Sequence, residues 1–141
     1  MKKDHSAEVS VKRTPLKTLE TMGDLKKLGP AGEEHAWGLL KKRGDTLVAR
    51  NFVCPVGELD LVTWHGKTLV FTEVRARSSV SHGSPAETVT PSKQQKVRRA
   101  AEWFLMKHLK SKVPPDCRFD VVWILANKDG ITESGILEGA F

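Results

Sequence analysis

The 141-residue chain has no tyrosine and only two cysteines, and we find no apolar run long enough to cross a bilayer. Cys54 and Cys117 lie far apart, without the CxxC or Cys/His spacing of zinc and redox motifs, so we expect free thiols. The first ten residues, MKKDHSAEVS, have no apolar segment of the kind that signal peptides carry. These absences predict a cytoplasmic protein with no membrane partner.

Acidic residues are also in deficit. Seventeen Asp and Glu face 23 Lys and Arg, which gives a net charge of +6 and a pI near 9.5. A basic balance favours a polyanionic partner, and we expect nucleic acid, with DNA as the first candidate. At this length and with 39% hydrophobic residues, a single domain can bury its core without disulfides or metals.

Residues 1–28 differ from the rest of the chain. Apolar residues recur there at every third position, but Gly23 interrupts them: Leu16, Leu19, Met22, Leu25 and Leu28. This spacing drifts around a true helix, so we predict an N-terminal arm that is either flexible or a short docked helix. The segment 29–141 is predicted to form the domain.

Within that domain the apolar patterns predict seven elements. They are a helix over 31–43, strands over 46–53, 57–64 and 67–75, a helix over 90–110, and strands over 117–126 and 131–137. This order indicates an α/β fold, a mixed sheet of about five strands with helices on both faces.

The hairpin over 57–75 is unusually charged. With its turn at His65-Gly66, strand alternation places four charged side chains on one face: Glu58, Asp60, Glu73 and Arg75. Asp60 and Glu73 become diagonal neighbours about 7–8 Å apart, close enough to share a cation. Oxygen ligands of this kind suit Mg²⁺ or Mn²⁺. The alternative is an ion pair of Arg75 with Glu58 or Glu73 in an edge strand.

The second predicted helix carries most of the positive charge. Residues 90–112 hold seven Lys and Arg but a single acid, Glu102. A 3.6-residue period places one outward stripe at Lys96, Arg99, Trp103, Lys107 and Lys110. Cations around an aromatic ring predict a nucleic-acid-binding surface. A merely solvated face, or a protein contact through Trp103, is the alternative.

The motifs resemble a known family. Asp60, twelve residues and then Glu73-Val74-Arg75 are similar to the D…(D/E)xK motif of restriction-endonuclease-like nucleases. GPAGEEHA, VARN, GELDL, VFTEVRAR, TPSKQQK, CRFDVV and GAF resemble the successive motifs of the small bacterial YraN-like family of predicted endonucleases. The likeness covers residues 29–141 and implies a restriction-endonuclease-like, Holliday-junction-resolvase-like fold.

The resemblance also implies site residues. Asp60 and Glu73 would bind the metal, and Glu33 on the first helix would complete the site. The helix dipole alone could also explain an acid at Glu33. Arg75 stands where these nucleases usually have lysine, and Lys93, one turn before the inward Val97, could supply the missing amine unless it is simply solvated. In CRFDVV, Asp120 could equally form a structural ion pair.

Together these features predict a Mg²⁺- or Mn²⁺-dependent endonuclease-like phosphodiesterase acting on DNA, with branched or flapped DNA as candidate substrates. The catalytic set would be Glu33, Asp60, Glu73, Arg75 and Lys93. The alternative is a non-catalytic nucleic-acid-binding module on a degenerate nuclease scaffold. Resolvase-like chemistry would require a homodimer.

Overall fold

The computed structural model describes residues 29–78, 89–109 and 113–141. Its elements are α1 (Pro30–Arg43), β1 (Thr46–Cys54), β2 (Gly57–His65), β3 (Thr68–Arg77), α2 (Pro91–His108), β4 (Asp116–Asn127) and β5 (Gly130–Leu137). All seven predicted elements are present, with ends that differ by a few residues. The arm predicted over 1–28 and Lys110 lie outside the described residues, so the division into arm and domain remains a prediction.

The five strands form one mixed sheet in the order β1-β2-β3-β4-β5. Strands β3 and β4 are parallel and the other neighbouring pairs are antiparallel. The parallel pair requires a crossover connection, and α2 lies within it. The predicted α/β class is therefore confirmed, and the arrangement is consistent with a restriction-endonuclease-like fold.

Each face of the sheet packs against one helix. Ala36 and Leu40 of α1 pack with a cluster on one face: Leu61, Val74, Ala76, Val122, Ile124 and Ala126. On the other face, α2 contributes Val97, Ala100, Ala101 and Phe104 to a cluster with residues of β1, β2 and β3. Alternation along β3 separates the two clusters, since Phe71 belongs to the α2 cluster and Val74 to the α1 cluster.

Both helices begin and end with recognisable signals. Pro30 opens α1 and Gly44 ends it with φ 104°, a conformation that glycine adopts readily. Thr90 caps α2, because its Oγ1 accepts a hydrogen bond of 3.2 Å from the backbone N–H of Lys93. Neither helix in the described part of the chain is long and apolar enough to span a membrane.

The turn of the charged hairpin differs from the prediction by one residue. His65 pairs with Thr68, so the two-residue turn is Gly66-Lys67 rather than His65-Gly66. Gly66 has φ 64° whereas Lys67 does not have a positive φ. A positive φ at only the first turn position is the type II′ pattern, which favours glycine there. The shift changes the pairing of the charged residues. Alternation along β2 also breaks at Asp60, because Leu59 and Val62 pack in the α2 cluster and Leu61 in the α1 cluster, so Glu58 does not share the face of Glu73 and Arg75 as predicted.

A buried ion-pair network lies where α1 ends. Arg43 donates to Asp45 from Nε and Nη2 at 2.8 and 2.6 Å, and to Asp120 Oδ2 from Nη1 at 2.9 Å. Arg118 Nε and the Gly139 N–H each donate to Asp120 Oδ1 at 2.9 Å. Asp120 is completely buried, so these donors compensate its desolvated charge. Asp120 of the CRFDVV motif therefore forms a structural ion pair, as the sequence analysis allowed.

Candidate active site

Asp60 lies where β2 and β3 stop pairing. The last aligned residues are Leu61 and Thr72, and one step further the Asp60 Oδ2 accepts a hydrogen bond of 2.9 Å from the backbone N–H of Val74. This carboxylate occupies the place of a backbone carbonyl in the ladder, although it is only 2% exposed. The pairing ends one step before Asp60 and Glu73, and the bond to the Val74 N–H holds the Asp60 carboxylate beside β3, so the two acids lie close together across the strands but not as the diagonal pair predicted from the turn.

Glu73 projects from β3 toward the first turn of α2. Its side chain is 1% exposed, and its Oε1 lies 3.7 Å from Lys93 Nζ. The Thr90 cap positions this turn of the helix over the sheet. Lys93 is therefore not simply a solvated first-turn lysine, because its amine reaches the carboxylate of Glu73.

Arg75 follows two residues after Glu73 on the same face. Burial lowers the pKa of Arg75 from its ordinary value, while the negative charges of Glu73 and Asp60 raise it in part. An arginine remains protonated at any physiological pH even so. The structure contradicts the proposed edge-strand location of Arg75, because β3 lies between β2 and β4 in the sheet.

Glu33 reaches this end of the sheet through Asn51. The Asn51 Nδ2 donates a hydrogen bond of 2.9 Å to Glu33 Oε1, and both residues are buried. Asn51 has φ 50°, a left-handed conformation that asparagine tolerates better than most residues. The β1–β2 register makes Asn51 level with Asp60, so Glu33 contacts the strand that neighbours the carboxylate pair. Glu33 also lies in the first turn of α1, where the helix dipole favours an acid.

The donor set matches a two-carboxylate cation site better than a complete protein cage. Among the described residues no three His, Cys, Asp or Glu side chains converge as metal ligands. Asp60 and Glu73 nevertheless offer two hard oxygen donors on neighbouring strands. Mg²⁺ is commonly held by one or two carboxylates together with waters and substrate phosphates. The residues therefore fit such an ion, with Asp60 and Glu73 as its protein ligands.

Comparison with known proteins identifies the family. The profile of the family described as "Uncharacterised protein family UPF0102" matches residues 32–124. The chain belongs to family UPF0102. This is the YraN family that the sequence motifs resemble.

Several UPF0102 proteins are similar over most of this chain. One from Herminiimonas arsenicoxydans is 48% identical over 101 residues, which is 72% of this chain and 79% of the relative. One from Caldicellulosiruptor saccharolyticus is 40% identical over 119 residues, or 82% of this chain and 98% of the relative. One from Hahella chejuensis is 46% identical over 95 residues, or 67% and 75%. The region that matches the family profile, residues 32–124, contains every residue of the candidate site.

In this UPF0102 chain the basic stripe of α2 lies on the outer surface, as predicted. Lys96, Arg99 and Lys107 are exposed, and Lys107 Nζ lies 5.0 Å from the centre of the Trp103 ring. Trp103 is partly buried because one side of it packs against the α2 cluster. The stripe thus combines three exposed cations with one aromatic ring, while Lys110 is not among the described residues.

Sequence reasoning missed the role of Asn51 in this UPF0102 chain. Its signal is the position of an asparagine inside the strand motif VARN, since asparagine is enriched at positive φ. Sequence reasoning also missed the partners of Asp120, because Arg43 and Arg118 come from elements that the linear pattern does not connect. The other residues of the candidate site were singled out from the sequence, and their roles stay predictions.

Proposed function

We propose that this protein is a metal-dependent phosphodiesterase that acts on nucleic acid. The observation that carries the proposal is the cross-strand pair of buried carboxylates, Asp60 and Glu73, with the side chains of Arg75 and Lys93 on the same face. Buried acids side by side are unfavourable unless cations compensate them. A site that also receives a phosphate gives this combination a chemical use, since phosphoryl transfer depends on positioning and charge stabilisation.

Each side chain has a distinct proposed role. Asp60 and Glu73 would hold a Mg²⁺ or Mn²⁺ ion, which when bound activates water and neutralises phosphate charge. Arg75 would stabilise negative charge on the scissile phosphate, because its fork donates two hydrogen bonds and does not lose its proton. Lys93 would donate to the phosphate from Nζ, oriented by Glu73. Glu33 would position the side chain of Asn51, which lies beside Asp60 on the neighbouring strand.

Lys93 is the proposed replacement for the lysine that the nuclease motif usually carries at position 75. The amine comes from the helix rather than from the strand, and it reaches the same carboxylate. Arg75 and Lys93 are both assigned to stabilising charge on the phosphate, and Arg75 has no role as a base, because arginine cannot deprotonate a water at a working pH. The outward stripe of α2 would bind the flanking phosphates.

The experiment is a cleavage assay on linear, flapped and four-way DNA and on matching RNA, with Mg²⁺ or Mn²⁺. We expect metal-dependent hydrolysis of at least one structure by the wild-type chain and none by Asp60→Asn, which keeps a side-chain acceptor for the Val74 N–H. Cleavage that persists in Asp60→Asn contradicts the assigned site. Cleavage of both strands of a symmetrical branch would indicate the homodimer that such a reaction requires.

One observation favours the second candidate function, a non-catalytic nucleic-acid-binding module. Arg75 and Lys93 supply two positive charges to the two carboxylates, so the protein itself could balance the site without a metal. The described residues also offer no third acidic ligand. This candidate predicts nucleic-acid affinity that falls with salt and no heat of Mn²⁺ binding.

A further inference from the structure

Trp123 lies on the sheet beside the candidate site. The parallel register pairs it with Arg75, and the antiparallel register pairs it with Gly135. Residues paired across neighbouring strands present their side chains on one face, so the indole shares the face of Glu73 and Arg75. The buried strand residues of the α2 cluster come from β1, β2 and β3. Trp123, on β4, is not part of this cluster and is partly exposed.

Gly135 determines how the indole lies. A Cβ atom at Gly135 would be 2.7 to 2.9 Å from three atoms of the Trp123 ring, a distance that real Cβ atoms essentially never show. The ring therefore packs directly on the bare backbone of β5. This contact fixes one side of the indole. The exposed part of the ring forms an apolar surface next to β3, the strand that carries Arg75.

We propose that Trp123 stacks on an unpaired nucleobase next to the phosphate that Arg75 and Lys93 would bind. This inference rests on the proposed function. An indole can stack on any base, but the bases of a continuous duplex are already stacked on their neighbours. The substrate class is therefore DNA or RNA with an unpaired nucleotide at the site, such as a flap, a gap or a single strand, in preference to an uninterrupted duplex.

The two cations on the β3 side of the ring support a nucleotide as the occupant. Arg75 is the lateral neighbour of Trp123, and Lys93 reaches the adjacent Glu73. An aromatic surface next to positive charge matches the base and the phosphate of one nucleotide. The purely structural explanation is that the ring covers a strand glycine and stabilises β5. That explanation predicts lower stability on removal of the ring but unchanged nucleic-acid affinity.

The test measures affinity without divalent metal, so that no cleavage occurs, for an oligothymidylate of about 12 nucleotides and for a duplex of equal length. Trp123→Leu should weaken single-strand binding about 5- to 150-fold and leave duplex binding unchanged. Trp37→Leu is the matched control, because it also removes a partly exposed tryptophan, on α1 at the opposite face of the sheet, and should not change the ratio of the two affinities. Trp123→Phe keeps a ring and should retain most of the preference.

Two further measurements guard against a folding defect. Gly135→Ala displaces the indole without removing it, and should lower single-strand affinity while thermal unfolding confirms a folded chain. An abasic position moved along the oligonucleotide should cost affinity at one site in the wild type and at none in Trp123→Leu. A folded Trp123→Leu with unchanged affinities overturns this inference alone. If the wild-type chain binds no nucleic acid, the proposed function falls, and this inference with it.

Discussion

Lys93 on α2 reaches Glu73 on β3, with 3.7 Å between Nζ and Oε1. This contact joins two segments that are twenty residues apart. It brings an amine to the carboxylate two residues before Arg75, a residue that cannot itself act as a base. It also predicts that Lys93 is needed for cleavage at the site, whereas the exposed cations of the α2 stripe are not.

Replacement of Lys93 tests this relationship. We expect Lys93→Ala to lower the cleavage rate about 10²- to 10³-fold, the usual cost of losing one donor to a transition state. Lys96→Ala, one turn further on the outer stripe, is the matched control and should change the rate little at saturating substrate, because the stripe contributes to binding. Equal rates for the two variants would remove Lys93 from the site.

Glu33→Gln separates the catalytic and the helix-dipole interpretations of Glu33. The glutamine can still accept the hydrogen bond from Asn51 Nδ2, so the fold should persist while the charge is lost. We expect a loss of activity of about 10- to 100-fold, as for other groups that orient metal ligands. Glu34→Gln, which affects only an exposed pair with Arg50, serves as control. An active Glu33→Gln enzyme would leave only the dipole role.

The Asp120 network should determine much of the stability. We expect Asp120→Asn to lower the free energy of unfolding by about 3–5 kcal/mol in urea, because the partly buried cations of Arg43 and Arg118 lose their shared, fully buried partner. Asp129→Asn, in the exposed turn before β5, should cost little. A change of equal size in both variants would refute a special role for the network.

The same network predicts a pH dependence. Burial raises the pKa of Asp120, but the hydrogen bonds from Arg118, the Gly139 N–H and Arg43 outweigh burial and hold it below its usual value. The folded state then binds the proton less readily than the unfolded chain. This contribution is complete above the ordinary pKa of an aspartate and is lost as the pH falls through the lowered value. Asp120→Asn should therefore lose less stability than the wild type does on acidification.

The outer stripe of α2 should control the salt dependence of nucleic-acid binding. Removing one phosphate contact reduces the slope of log K against log salt by about 0.7 to 0.9. We expect this change for Lys96→Ala and for Arg99→Ala, measured by fluorescence anisotropy over a salt series. Lys41→Ala, at the far end of α1, should leave the slope unchanged. An unaltered slope in the stripe variants would show that the stripe is only a solvated face.

The sequence predicts the fold well because its periodicities are strong. Alternation in the hairpin was enough to place Glu73 and Arg75 on one face, whereas Asp60 lies at a break in that alternation, and the role of Glu33 stays a prediction. The turn was predicted one residue early because glycine favours the first position of a type II′ turn, and the sequence does not state which turn type forms. The error did not affect the shared face of Glu73 and Arg75, but Glu58 lies on the other face because alternation along β2 breaks at Asp60.

Other features required three-dimensional contacts. The approach of Lys93 to Glu73 depends on where α2 crosses the sheet. The packing of Trp123 against Gly135 depends on the register of β5. Neither is contained in a local pattern. Arg75 was assigned to an edge strand because the strand order is not visible in the sequence; β4 pairs with β3 only after the α2 crossover.

Calorimetric titration of Mn²⁺ into the wild-type chain and into Asp60→Asn tests the central claim most directly, because it does not depend on the identity of the substrate. Asp116→Asn, an exposed acid at the start of β4, is the control. The account predicts saturable binding by the wild type and by Asp116→Asn, and its loss in a folded Asp60→Asn. No binding by the wild-type chain, or equal binding by all three proteins, would contradict a metal site at Asp60 and Glu73.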